Sequence, residues 1–153
     1  MIEQRVYESF EIGEKYVTHG RTVTDSDIRA FIGATGSTDP IHIDREYAAT
    51  HPLVDDVVAQ GTLLLGIADG FFVDAVATDA ALAMNYGHDR VRYLGAVSPG
   101  DSVHATVEIT GKARRDEDWG LITANVELIN QNDETVLTDT HRLLVASEEN
   151  GAL

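Results

Sequence analysis

Gln60-Gly61-Thr62-Leu63-Leu64-Leu65-Gly66-Ile67-Ala68-Asp69-Gly70-Phe71-Phe72-Val73-Asp74-Ala75-Val76-Ala77 is the stretch that decides the fold. Leu63, Leu64, Leu65, Ile67, Phe71, Phe72, Val73 and Val76 leave no wide polar face, the pattern of a buried central helix. Its apolar run is far too short to cross a bilayer. Gly66 and Gly70, four apart, offer another backbone a close approach along one side. Toward the C-terminus the period changes to two. Val103, Ala105, Val107 and Ile109 alternate with His104, Thr106, Glu108 and Thr110, and Ala124, Val126 and Leu128 alternate with Asn125 and Glu127. Gln131-Asn132-Asp133-Glu134 is a turn signal before a last strand, 135–146, and 87–97 reads as a further strand closed by Ser98-Pro99-Gly100-Asp101. Short turns between long strands imply an antiparallel sheet. One apolar helix with one such sheet predicts an α+β fold, a sheet wrapped around a helix, and no parallel nucleotide-binding sheet.

Toward the N-terminus, 15–23 reads as an extended lead-in that ends at Thr24-Asp25-Ser26-Asp27. Thr24 followed three residues later by Asp27 predicts a capping box. Ile28, Phe31 and Ile32 then recur at helical spacing, and Gly36 stops the helix. A polar loop bent by Pro40 follows, and 45–50 adds one helical turn. No repeat or linker divides the chain, so 1–153 is read as one domain.

Apolar residues make up 43% of the 153, enough for a proper core. Asp plus Glu number 26 against 11 Lys plus Arg, a net charge of −15 that disfavours nucleic acid and anionic membrane surfaces. The absence of cysteine removes disulfide scaffolds, thiolate metal sites and Cys nucleophiles. The first residues carry no signal-peptide pattern, so a cytoplasmic protein is expected. The basic residues are nine Arg and two Lys, Lys15 and Lys112; a carboxylate-rich, Lys-poor surface suits a salt-rich, halophile cytoplasm.

The stretch Phe31-Ile32-Gly33-Ala34-Thr35-Gly36-Ser37-Thr38-Asp39-Pro40-Ile41-His42-Ile43-Asp44, with Tyr47-Ala48-Ala49 behind it, carries a resemblance when taken with Ala59-Gln60-Gly61-Thr62-Leu63-Leu64. Arg92-Tyr93-Leu94, Val97-Ser98-Pro99-Gly100-Asp101 and Glu127-Leu128-Ile129-Asn130-Gln131 extend it. Together they resemble the MaoC-like dehydratase family, which includes the (R)-specific enoyl-CoA hydratases and is built on the hot-dog fold. The family signature runs from an aromatic residue through Gly-Asp-x-Asn-Pro-(Ile/Leu)-His to an Ala-His-Gly helix start. Here Ser37 stands where the family has its catalytic Asp, Asp39 where it has Asn, and Gln60 where His precedes the glycine. Asp69, eight residues after Gly61, stands where these hydratases commonly have Ser.

The resemblance implies hydration of a trans-2-enoyl thioester or dehydration of a 3-hydroxyacyl thioester, with coenzyme A or an acyl carrier as part of the substrate and no redox cofactor or metal. That chemistry needs a base for water, an acid for the α-carbon and a donor for the enolate oxygen. His42 suits the acid–base role. The Gly61 amide at a helix start suits the oxyanion, with Gln60 and Thr62 beside it as substrate contacts. Ser37 orients water but does not take its proton at neutral pH unaided. The carboxylate then comes from Asp69, exchanging roles with Ser37, or from Asp39 in the same loop. An ionised Asp69 on so apolar a helix requires a polar partner or an opening to a pocket. Arg90 and Arg92 are either outward-facing charges or local cations for coenzyme A phosphates. The histidines at 19, 51, 88, 104 and 141 are scattered in sequence, and no metal site is expected. A lone sheet of this kind leaves an edge uncovered, so a homodimer is expected, with sites near its interface. Two other functions share these residues: a non-catalytic acyl-thioester-binding module that lost its dyad at Ser37, and a thioesterase using Asp69.

Overall fold

The computed structural model describes residues 4–152. Short strands β1 (Lys15–Val17) and β2 (Arg21–Thr22) lead into α1 (Asp25–Thr35). The capping box forms: Thr24 Oγ1 accepts from the Asp27 amide at 3.2 Å, and Asp27 Oδ2 accepts from the Thr24 amide at 2.8 Å. Gly36 ends the helix at φ 73°, a left-handed position that glycine adopts without strain. A 3-10 turn at Pro40–His42 and the short α2 (Arg45–Ala49) follow, and then α3 (Gly61–Phe72).

The remaining chain is sheet: β3 (Ala83–Tyr93), β4 (Ser102–Arg114), β5 (Trp119–Asn130) and β6 (Thr135–Ala146). The order is β1-β4-β5-β6-β3, every pairing is antiparallel, and β2 adds to β4 beyond β1. The alternation read from sequence holds. Val103, Ala105, Val107 and Ile109 on β4, and Ile122, Ala124, Val126 and Leu128 on β5, turn inward onto Leu64, Ala68, Phe71 and Phe72 of α3 in one buried core. Asn130 Oδ1 holds the β5–β6 turn by accepting from the Asn132 and Glu134 amides at 2.9 and 3.1 Å. This is the expected α+β hot-dog arrangement, a curled sheet around one apolar helix.

Three local expectations are corrected. The strand read at 87–97 runs Ala83–Tyr93 instead, because pairing with β6 begins at Ala83 opposite Val145. Past Tyr93 the Leu94 amide still donates to the Val136 carbonyl of β6 at 2.8 Å, after which the chain turns away and the Val97 carbonyl meets the Ala59 amide at 2.8 Å, just ahead of α3. The central helix keeps α geometry only to Phe72 and finishes as a π turn, Val73–Ala77, where the Thr78 amide and hydroxyl both donate to the Val73 carbonyl at 2.8 and 2.9 Å. Finally, α3 is not covered all round. Gly66 and Gly70 are exposed, a Cβ on either would meet nothing within 4 Å, and both line an open groove of about 560 Å³ with Phe31 and Leu63.

The outermost strand, β3, is irregular. Its register with β6 shifts between Asn85 and Gly87 and again between Asp89 and Arg92, where Arg90 takes φ 54°.

Candidate active site

His42 is placed by a chain of local contacts. Asp39 Oδ1 caps the 3-10 turn by accepting from the Ile41 amide at 3.2 Å, and Pro40 supplies a fixed φ at its first position. The Ile41 carbonyl then accepts from the Val58 amide at 3.2 Å, and the half-buried His42 ring meets the Val58 carbonyl through Nδ1 at 2.7 Å. A carbonyl only accepts, so Nδ1 carries a proton, and in the neutral ring the lone pair is on Nε2. Val58 lies three residues before Gly61, so the imidazole is tied to the segment that opens α3.

Gly61 is the first residue of α3, and its amide has no acceptor within the helix. It points with the positive end of the helix dipole, where anions are favoured. A second reason for glycine was invisible in the sequence. The ring of Tyr93, at the end of β3, stands so close that a Cβ on Gly61 would lie 2.8–2.9 Å from three of its atoms. Gln60, the N-cap residue, is 3% exposed, and neither oxygen nor nitrogen of its amide has a hydrogen-bond partner. Thr62 is exposed on the first turn.

The other candidates separate from this pair. Ser37 is half-buried in the loop before the 3-10 turn, with its amide donating to Thr35 Oγ1 at 3.4 Å. Asp39 is exposed and engaged as the cap. Asp69 is two helical turns beyond Gly61, about 12 Å along the axis at 1.5 Å per residue. It finds the polar partners that its burial demands on the sheet: Oδ1 accepts from Asn85 Nδ2 at 3.1 Å and faces His141 and His88 at 3.6 and 3.9 Å. Every histidine–carboxylate pair among the described residues belongs to His88 or His141, and none to His42. Arg90 and Arg92 are exposed on β3. The bulge breaks their alternation, and Arg92 Nη1 turns back to the Val91 carbonyl at 2.7 Å.

Around Asp69, burial dominates the electrostatics. It raises the Asp69 and Asp139 carboxyl pKa values above the ordinary range against the pull of His88. Burial, helped by repulsion from His88, holds the His141 ring down to about 4. The histidines that looked scattered are therefore not all so, since 88 and 141 are register partners across β3 and β6. One signal was present in the sequence: Asp139 and His141, two apart, occupy inward positions of a strand whose other inward residues are apolar.

A family model described as "MaoC like domain" matches residues 8–132. The MaoC protein of Klebsiella aerogenes is 31% identical over 72% of the chain and 32% of its own length. The 3-hydroxyacyl-thioester dehydratase Z of Mycobacterium tuberculosis is 32% identical over 59% of the chain and 60% of its own length. The chain thus spans between a third and three-fifths of these curated relatives. A solved structure described as a monoamine oxidase regulatory protein, from Archaeoglobus, superposes with a TM-score of 0.86 at 36% identity, over 94% of this chain and 95% of that one. No helix of the described residues is long and apolar enough to cross a membrane.

Proposed function

Since the chain belongs to the MaoC-like domain family, we propose that it is a hydro-lyase, interconverting trans-2-enoyl and (R)-3-hydroxyacyl thioesters of coenzyme A or an acyl carrier. The observation that carries this reading is the 2.7 Å contact of His42 Nδ1 with the Val58 carbonyl, which ties the ring to the segment leading into α3 and leaves Nε2 outside that bond. In the hydration direction, Nε2 takes a proton from water as the hydroxyl oxygen adds to C3. The negative charge moves onto the thioester oxygen, held by the Gly61 amide at the positive helix end. The imidazolium then returns its proton to C2, which restores the neutral ring and completes the addition of one water. Ser37, five residues before His42 in the same loop, is assigned to orient the water.

In this scheme one imidazole serves as base and then acid, and neither Asp39 nor Asp69 takes part. The cap bond of Asp39 and the sheet contacts of Asp69 support that assignment. Arg90 and Arg92 are exposed on β3 and are assigned to coenzyme A phosphates, Arg92 through the guanidinium nitrogens that its bond to the Val91 carbonyl leaves over. A second copy of the chain is expected along β3, where Met84, Tyr86, Tyr93 and Leu94 are all exposed. Light scattering that finds only monomer at high salt contradicts this pairing.

The deciding experiment follows the loss of enoyl absorbance from crotonyl-CoA and longer enoyl-CoAs at high salt. Turnover that disappears in His42→Ala supports the hydro-lyase. Thioester binding without turnover of any enoyl or hydroxyacyl substrate replaces it with the binding module that Ser37 favours, and release of free thiol replaces it with a thioesterase.

A further inference from the structure

Beneath the C-terminal half of α3, four titratable side chains converge that the proposed reaction does not use. Asp69 comes from α3, His88 from β3, and Asp139 and His141 from β6. One ligand atom each of Asp69, His88 and His141 lies within 4.8 Å of the others. Asp69 Oδ1 stands 3.6 Å from His141 Nδ1 and 3.9 Å from His88 Nε2. Metal bonds of about 2.0–2.2 Å in a tetrahedral site set ligand atoms about 3.4 Å apart, so the two Asp69 edges close by about half an ångström or less and the His88–His141 edge, within 4.8 Å, by at most about 1.4 Å.

Two further observations point to a ligand there. Asp139 Oδ2 lies 2.6 Å from His88 Nδ1 with a side chain only 2% exposed. It accepts the hydrogen bond from Nδ1–H, which in the neutral ring leaves the lone pair of His88 on Nε2, the atom 3.9 Å from Asp69 Oδ1. Carboxylates orient metal-ligating imidazoles in this way. His141 is 1% exposed, yet neither of its ring nitrogens has a hydrogen-bond partner. Its ring is stacked on Phe72 at 3.9 Å and 16°, and edge-on to His88 at 4.5 Å, so it is held in that orientation. A buried, unpaired polar nitrogen is a cost that native proteins rarely carry without cause. Asn85 Nδ2 lies 3.1 Å from Asp69 Oδ1 and 3.2 Å from His88 Nε2, so its amide bridges two of the three atoms. The side chains of Asp69 and His88 are 33% and 21% exposed, which leaves a route in from solvent.

We propose that Asp69 Oδ1, His88 Nε2 and His141 Nδ1 form a binding site for one divalent first-row transition ion of the zinc class, with Asp139 positioning His88. Two imidazoles and one carboxylate suit such an ion, whereas Mg²⁺ and Ca²⁺ prefer oxygen ligands. The ion ties α3 to the β3–β6 edge of the sheet, so its binding stabilises the fold.

The test uses the full chain, stripped with a chelator and titrated with Zn²⁺, with Co²⁺ as a spectroscopic probe. The expected result is one ion per chain, a raised melting temperature, and visible ligand-field bands of four-coordinate Co²⁺. Asp69→Asn and His88→Gln, both on half-exposed side chains, lower the affinity at least tenfold while the circular dichroism spectrum is kept. Asp139→Asn lowers it roughly ten- to a hundredfold, and His104→Gln leaves it unchanged. The proposal is overturned if the chain binds no Zn²⁺ in stoichiometric amount, or if folded His88→Gln binds it as tightly as the parent.

Discussion

Gly61→Ala separates the two reasons for a glycine at the start of α3. The new Cβ would stand 2.8–2.9 Å from three atoms of the Tyr93 ring, where ordinary contact begins at 3.4 Å, so the ring must retreat by about 0.6 Å (3.4 − 2.8). Tyr93 is 49% exposed on an outer strand, and its ring swings outward at little cost. Alanine also recovers up to about 1 kcal/mol of helix propensity over glycine. The two effects offset each other, and stability is expected to stay within about 1 kcal/mol of the parent, on the order of 2–4 °C in Tm. Turnover responds differently. If the methyl group keeps the thioester oxygen from the amide, the loss is that of an oxyanion donor, about 2.7–4 kcal/mol or 10²–10³ in kcat. The assay is the initial rate of enoyl-CoA hydration beside a thermal melt, in the parent and in Tyr93→Ala. With the tyrosine ring gone, Gly61→Ala should still be impaired to the same degree. A Gly61→Ala/Tyr93→Ala double variant as fast as Tyr93→Ala alone would refute the reasoning, because the glycine would then serve the ring and not the substrate.

Three other perturbations test separate parts of the structure. His42→Ala should lower kcat by about 10²–10⁴ with little change in Tm, and a fall of less than tenfold in steady-state rates removes the imidazole from the chemistry. In Gly120→Ala the Cβ would lie 2.0–2.5 Å from Cδ2, Cγ and Cε2 of Tyr7, too near the base of that side chain for the ring to swing clear. Urea denaturation should register about 3 kcal/mol of lost stability, and a loss below about 1 kcal/mol contradicts the packing. Burial works to raise the Glu14 carboxyl pKa, but hydrogen bonds from Arg5 and Tyr16 outweigh it and hold the group down to about 2 from 4.5. A depressed carboxyl contributes stability in full above its unfolded pKa, and that contribution is lost as pH falls from about 4.5 toward 2. Glu14→Gln should therefore cost on the order of 2–3 kcal/mol at neutral pH and flatten the acid limb of stability measured against pH, whereas an unchanged acid limb overturns the assignment.

Local signals in the sequence carried to the structure wherever their partners were near in the chain. Thr24 and Asp27 cap each other, Gly36 ends α1, and the inward residues of β4 and β5 follow a strict period of two. The edge strand was harder to delimit. Exposed positions such as Met84 and Tyr86 carry no burial pattern, and main-chain pairing with β6 alone sets where β3 begins. At the candidate site, His42 and Gly61 could be chosen from their motif, but the ties that join them run through the backbone of Val58, which is insensitive to side-chain type. Asp69 was recognisable as a residue that needed company. Its partners were not, because His88 and His141 become neighbours only through strand pairing, and the Tyr93 ring reaches Gly61 only through the path of the chain after β3.

The two irregularities in β3 bear on how the molecule behaves when concentrated. A flat outer strand with uninterrupted donors and acceptors is a template on which chains add without end, as in fibre growth. Here the shifts at Asn85/Gly87 and Asp89/Arg92, with Arg90 at positive φ, cut that rim into short runs that twist away from one another. A copy arriving along the rim meets only a few matching positions before the geometry turns, which works against open-ended strand addition. Straightening the rim by removing a bulge should therefore shift the protein from defined particles toward insoluble aggregates, even though the removed residue lies outside the core.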